Sequence, residues 1–317
     1  MPVTLYLAIP CYNEAAVLPE TARRLREKFT ALRAAGTIGP LSRICMIDDG
    51  SRDETWQIIS DLHTQDPVFS GIRLSRNRGH QNALLCGLMT LRDRADCVIS
   101  MDADLQDDIN AIDGFLDKYE EGCQVVYGVR KKRDTDTFFK RKTALAFYKL
   151  MSSMGVESVY NHADYRLMGN EALEALAHYP EVNLFLRGMV PLIGYKSDTV
   201  YYDRGERAAG ESKYPLKKMF NFAIQGITSF SVKPLRLICS IGGLIVTISL
   251  LALLYALVAA VAGLPAAGTT AFLASLWLLG GIQLLGVGVC GEYIGKIYSE
   301  VKGRPRFWVE TWLGEEK

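Results

Sequence analysis

The chain has 317 residues, 49% of them hydrophobic, which is enough for one large domain or two ordinary ones. A formal net charge of +1 and a pI of about 7.5 exclude the global basic field that nucleic-acid binders carry. The average hides a division: no charged residue occurs between Arg236 and Glu292.

In chain order, "VTLYLAIP" (Val3 to Pro10) reads as a strand, and the helix after it has Asn13 as its expected N-cap and Gly36 as its stop. "RICMIDDGS" is a second strand ending in acids. "DETWQIISDLHTQ" is a helix with Trp56, Ile59 and Leu62 at helical spacing. "GIRLS" and "GHQNALLCGLMTLRD" repeat the strand and helix pattern. "CVISMDAD", "INAIDGFLDKYEEG" and "QVVYGVR" complete it as strand, helix and strand. The alternation predicts an α/β fold with a mostly parallel sheet covered by helices on both faces. Ligands bind such sheets beyond the carboxyl ends of the strands.

Three successive strand ends carry chemistry: Pro10-Cys11-Tyr12-Asn13-Glu14, Asp48-Asp49-Gly50-Ser51 and Asp102-Ala103-Asp104. They predict one shared site. The first strand lacks GxGxxG, and no GxxxxGK[ST] occurs, so neither a dinucleotide fold nor a P-loop is indicated. Like charges as close as Asp102 and Asp104 repel unless water or a cation separates them. Their DxD spacing suits Mg²⁺, which takes one or two carboxylates and completes its shell with water and phosphate oxygens.

Leu237 to Ala262 and Phe272 to Gly291 are long apolar runs separated by "GLPAAGTTA". Each is long enough to cross a hydrocarbon core of about 30 Å. Lys213, Lys217, Lys218, Lys233 and Arg236 precede the first run, Lys296, Lys302, Arg304 and Arg306 follow the second, and the connecting loop is uncharged. The positive-inside rule then puts both termini and the N-terminal region in the cytoplasm of a multi-pass inner (cytoplasmic) membrane protein. The expected organisation is a catalytic domain over 1–212, an interfacial helix over 213–234, two transmembrane helices over 235–292 and a cytoplasmic tail over 293–317. The seven cysteines form no CxxC pair and read as buried reduced thiols. The four histidines show no HExxH or paired ligand spacing, and the N-terminus has no basic n-region of a signal peptide.

The segments "IPCYNEA", "IDDGSRDET", "RNRGHQNALLCG", "MDADLQDD", "ADYRLM", "RGMVPLIGY", "RGERAAGESKY" and "GEYIGKIYSEVKGRPRF", in that order, make the chain resemble the family 2 glycosyltransferases of GT-A fold, in the polyprenyl-phosphate branch with two C-terminal spans. The QxxRW signature of processive synthases is absent. The resemblance implies an inverting transfer of one sugar from a nucleotide sugar, UDP-glucose foremost, to undecaprenyl phosphate, for cell-envelope or O-antigen modification. Pro10, Tyr12 and Glu14 would line the nucleotide pocket. Asp48 would take the base, with Asp49 and Ser51 beside it, although Asp49 also suits a turn in "DDGS". Asp102, Ala103 and Asp104 would meet the diphosphate. Asp102, Asp104 and Gln106 would hold Mg²⁺ or Mn²⁺. Asp107 and Asp108 read as solvated acids at a helix start.

Arg130, Arg204, Arg207, Ser212 and Lys213 would answer the phosphates, with Arg204 and Arg207 in the catalytic step. A juxtamembrane lipid-binding patch is the alternative for the last cluster. Arg141 would meet the acceptor phosphate or be an exposed helical charge. Asp164 corresponds to the family's proposed base. A lipid phosphate with a second pKa of about 6 hardly needs one, so Asp164 is expected either as a base or as a group orienting the sugar or Arg166. Partners are then the nucleotide sugar, the polyprenyl phosphate and the membrane, with no nucleic acid. Glycines such as Gly280, Gly281, Gly286, Gly288 and Gly291 suit close helix contacts and a homo-oligomer. Other donors (GDP-mannose, UDP-GlcNAc, UDP-amino-arabinose), another lipid acceptor and a non-catalytic nucleotide-sugar sensor are the alternatives.

Overall fold

A computed structural model describes residues 2–130, 162–203, 205, 233–261 and 269–314. Residues 213–232 of the expected interfacial helix, Lys213 among them, with Arg141, Arg204, Arg207 and Ser212, lie outside those residues, and Lys233 and Pro234 fall in a later helix. Chain contacts divide the molecule into two compact units. One comprises Met1–Tyr148, Glu157–Pro215 and Arg304–Lys317; the other comprises Lys149–Val156 and Leu216–Gly303.

The first unit is built on a sheet in which β1 (Leu5–Cys11), β2 (Arg43–Asp48), β3 (Phe69–Leu74), β4 (Cys97–Ser100), β5 (Val125–Arg130), β6 (His162–Gly169), β7 (Ser197–Tyr202) and β8 (Val309–Leu313) stand in the order β7-β5-β6-β4-β1-β2-β3-β8. β1 pairs in parallel with β2 and β4, and β2 with β3. These strands read as continuous apolar runs because both faces are covered. α1 (Leu18–Ala34) buries Leu18, Ala22, Leu25, Phe29 and Leu32, one stripe at helical spacing. α2 (Thr55–Gln65), α3 (His80–Leu91) and α4 (Ala111–Glu120) complete the alternation expected from the sequence.

Other strands depart from that alternation. β6 enters antiparallel between β4 and β5, pairing Ser100 with Arg166. That reversal carries Asp164 to the carboxyl end of β4, where the Ser100 hydroxyl donates to the Asp164 carbonyl. α5 (Asn170–Ala177) and α6 (Leu186–Leu192) follow. The C-terminal segment, expected as a plain tail, supplies β8 antiparallel to β3 at the sheet edge.

In the second unit, α7 (Lys233–Val261, 29 residues) and α8 (Thr269–Lys302, 34 residues) pack on each other. Helices of this length rise about 44 and 51 Å at 1.5 Å per residue. The second continues well past Glu292, where a tail was expected. The two apolar runs read from the sequence thus fall largely on helices. Among the described residues, however, no helix is long and apolar enough to cross a membrane. Cys11, Cys45, Cys86, Cys97 and Cys123 are buried free thiols as expected, whereas Cys290 on α8 is exposed.

Candidate functional site

The carboxyl ends of β1, β2 and β4 meet at a pocket of about 360 Å³. Pro10, Tyr12, Glu14, Asp49, Asp102, Ala103 and Asp104 line it, as the sequence predicts, together with Gly79 and His80. The walls are laced loop to loop. Asn13 takes a left-handed conformation (φ 54°) instead of capping α1. Its N–H donates to Ser51 Oγ (3.0 Å) and its side-chain oxygen accepts from the Arg52 N–H (2.9 Å). The Glu14 N–H donates to Thr55 Oγ1 at 2.9 Å.

Asp48 and Asp49 divide their work. Asp49 accepts the N–H groups of Arg78 (2.7 Å) and Gly79 (2.8 Å), so it fixes the segment leading into α3 rather than merely shaping its own turn. Gly50 permits this approach: at φ +65°, a Cβ there would lie 2.6 Å from the Arg76 carbonyl carbon. Asp48 is fully buried below the wall. One of its oxygens accepts the Ser51 N–H at 3.0 Å. The other has no hydrogen-bond donor among the described residues, and Arg73 Nε stands 3.8 Å away. Burial raises the Asp48 pKa despite the Ser51 bonds.

Beyond β4, Leu105 turns the chain through a left-handed conformation (φ 56°) directly after the DxD pair. The Asp102 side chain opens onto the pocket and is partly covered by its walls. Burial, with Asp107, Asp164 and Asp104 nearby, pushes its pKa up to about 6 against the pull of His80. The excess negative charge suits a divalent cation, which inverts such shifts. Among the described residues no group of three or more His, Cys, Asp or Glu side chains could hold a metal. Two carboxylates nevertheless suffice for Mg²⁺ that keeps waters and phosphate oxygens. Gln106, expected as a third ligand, is buried and faces a neighbouring cavity instead.

Asp107, expected in solvent, is also buried. It accepts a hydrogen bond from Tyr202 Oη, and Arg130 Nη2 lies 3.7 Å away. The charge is tolerated inside because a hydroxyl and a guanidinium partner it. Arg130, expected on phosphate, is therefore engaged with Asp107 and with Tyr202 (3.4 Å). Phe115, Tyr165 and Tyr202 stack edge to face alongside, with centroids 4.7 and 5.3 Å apart.

Asp164 meets Asp102 across His80, whose Nε2 is 3.7 Å from both carboxylates. Arg166 donates to Asp164 Oδ1 at 2.9 Å, and Arg187 donates to both oxygens, each at 3.1 Å. Burial opposes the charge, but Arg187, Arg166 and His80 outweigh it and hold the carboxyl well below its usual range. A carboxylate so held is a weak base, and the geometry favours the orienting role. Sequence reasoning singled out the "VNLFLRG" segment (Val182 to Gly188) beside Asp164 as shaping the sugar pocket, but not the individual parts of His80, Gln81 and Arg187 within "RNRGHQNALLCG" and that segment, because their meeting depends on the reversed β6.

The family model described as glycosyl transferase family 2 matches residues 6–177. The glycosyltransferase YkoT of Bacillus subtilis is 50% identical over 99% of this chain and 93% of its own length. The SfII prophage-derived bactoprenol glucosyl transferase of Shigella flexneri is 40% identical over 96% of both chains. Among solved structures, glucosyl-3-phosphoglycerate synthase from Mycobacterium tuberculosis, with phosphoglyceric acid, aligns at a TM-score of 0.45 and 17% identity, covering 72% of this chain and 79% of that one. With the family model spanning more than half of its residues and relatives matching it nearly end to end, this chain belongs to glycosyl transferase family 2.

Proposed function

We propose that the protein transfers glucose from UDP-glucose to a polyprenyl phosphate at the cytoplasmic face of a membrane, inverting the anomeric configuration. The observation that carries this reading is the convergence of Asp102 and the Asp164–Arg187 pair on the two sides of His80, in a pocket that Asp104 also lines. The full-length similarity to bactoprenol glucosyl transferases supports the acceptor class and the sugar.

Asp102 and Asp104 would hold Mg²⁺ or Mn²⁺, which would neutralise charge on the departing diphosphate. Pro10, Tyr12, Glu14 and Asp49 form the wall for the nucleotide. Asp164, fixed by two arginines, orients the sugar as a hydrogen-bond acceptor. The nucleophile arrives already ionised, as a phosphate does at neutral pH. It attacks the anomeric carbon opposite the leaving group, so an α-linked donor yields a β-linked lipid product.

The membrane reading rests on the charge-free sequence between Arg236 and Glu292 and on α7 and α8, which occupy most of it. Leu237, Leu244, Ile248, Leu251, Leu254 and Val258 are exposed along α7. Apolar side chains exposed along a helix favour contact with an apolar surround over water. Basic residues at the outer flanks of the charge-free window favour a cytoplasmic catalytic unit.

The test is to give the purified full chain undecaprenyl phosphate with a panel of nucleotide sugars and to identify the lipid product. Glucosyl-phosphoryl-undecaprenol from UDP-glucose is expected. Transfer only to a free alcohol or sugar, or donor binding without product, would overturn the proposal.

A further inference from the structure

The C-terminal segment does more than close the sheet. Arg306 donates through Nη1 to the Glu181 carbonyl (3.1 Å) and through Nη2 to the Tyr179 carbonyl (3.3 Å). These carbonyls follow the end of α5, where a cation also complements the helix dipole. Two residues on, the Trp308 carbonyl accepts the Ser75 N–H at 3.1 Å. One short strap thus holds the bases of two loops: the one that runs from Ser75 to His80, and the one that runs from Tyr179 to Arg187.

The far ends of those loops are tied as well. Gln81 Oε1 accepts the Leu186 N–H at 2.9 Å, and Arg166 Nη1 reaches the Leu186 carbonyl at 3.4 Å. Both backbone groups of Leu186 are therefore held by side chains next to the site. The adjacent residue is Arg187, whose fork grips Asp164.

We propose that Arg306 is a positioning residue for transfer: by bridging the Tyr179 and Glu181 carbonyls it sets the path of the loop that aims Arg187 at Asp164. The proposal rests on the reading of Asp164 and Arg187 as part of the transfer centre. An arginine suits the task because its planar fork reaches two acceptors at once, which a lysine ammonium does with less directional control. The strap is separable from the fold. β8 is held without Arg306 by its ladder to β3 and by Arg94 stacked over Trp312 at 5.3 Å.

The experiment compares the full chain with Arg306→Ala, Arg306→Lys, Arg187→Ala and the Arg306→Ala/Arg187→Ala double variant. It measures kcat and KM for both substrates, and hydrogen exchange in peptides covering 179–188. Arg306→Ala is expected to lower kcat by about tenfold to a hundredfold, as small misplacements do, with the donor KM little changed and exchange at 184–187 raised. Arg306→Lys should recover part of kcat. In the Arg187→Ala background, Arg306→Ala should add almost nothing, because the group it positions is gone.

Additive losses in the double variant, full kcat in Arg306→Ala, or lost kcat with unchanged exchange would each overturn the proposal. If Arg306→Ala fails to fold, Arg306→Lys carries the same double comparison. Full turnover in Arg187→Ala alongside raised exchange in Arg306→Ala would overturn the reading of the transfer centre, and with it the catalytic role of the strap. That pattern differs from a failed strap, in which exchange does not move.

Discussion

Arg187 grips Asp164 with both arms of its fork, Nε to Oδ1 and Nη2 to Oδ2, each at 3.1 Å. Arg166, only 1% exposed, adds a third bond at 2.9 Å. Asp164→Asn would keep the shape but leave a buried guanidinium facing a neutral amide. A broken buried pair costs about 3–5 kcal/mol, so a markedly lower Tm and a lower kcat are expected. Unchanged melting would show that the arginines do not depend on this charge.

The same pair sets an acid limit. The folded-state pKa of Asp164 is depressed, so its stabilisation is complete above the unfolded carboxylate value of about 3.9 and fades as pH falls towards the folded value. Melting temperature measured from pH 7 downwards should hold its Asp164 contribution to about pH 5 and lose it progressively below about pH 4. In Asp164→Asn that part of the acid slope should be missing. An identical slope in both proteins would assign the acid sensitivity elsewhere.

Asp102→Asn and Asp104→Asn should each suppress turnover by about a hundredfold or more, the scale of lost electrostatic stabilisation at a reacting centre. EDTA should do the same to the unaltered protein, and Mn²⁺ or Mg²⁺ should restore it. Normal product formation after exhaustive chelation would remove the metal from the mechanism.

Gly50→Ala should weaken UDP binding measured by calorimetry. A left-handed conformation costs a side-chain-bearing residue about 1–2 kcal/mol, and the new Cβ would meet Arg76 and Asn77 backbone at 2.6 Å. The segment that must yield leads into Gly79 and His80 on the pocket wall. Unaltered UDP affinity would mean that this segment does not shape the nucleotide site.

The central half of the fold was legible because its signals are local. β1 to β5 are bounded apolar runs, and α1 shows one clean stripe, so the mostly parallel sheet and its three chemical strand ends follow from pattern alone. β7 (SDTVYY) and β8 (VETWL) are half-exposed edge strands whose mixed residues carry no such signal. Asp107 looked solvated because its partner, Tyr202, is far along the chain. Asn13 looked like a helix cap because its spacing was right, but its side chain serves Arg52 in the next loop instead. Gln106 has the expected spacing for a metal ligand, yet the left-handed turn at Leu105 precedes it, and it is buried at a neighbouring cavity.

β8 also imposes an order on biosynthesis. Its register joins Gly71 to Leu313 and Ile72 to Trp312, so an edge made early waits for residues translated much later. The apolar helices α7 and α8 leave the ribosome between those two events. While they are being made, the nascent sheet keeps a bare edge along β3, the kind of surface that pairs with other chains. The pairing that removes this hazard also brings Arg306 to Tyr179 and Glu181, so the enzyme matures only after its hydrophobic hairpin has been made.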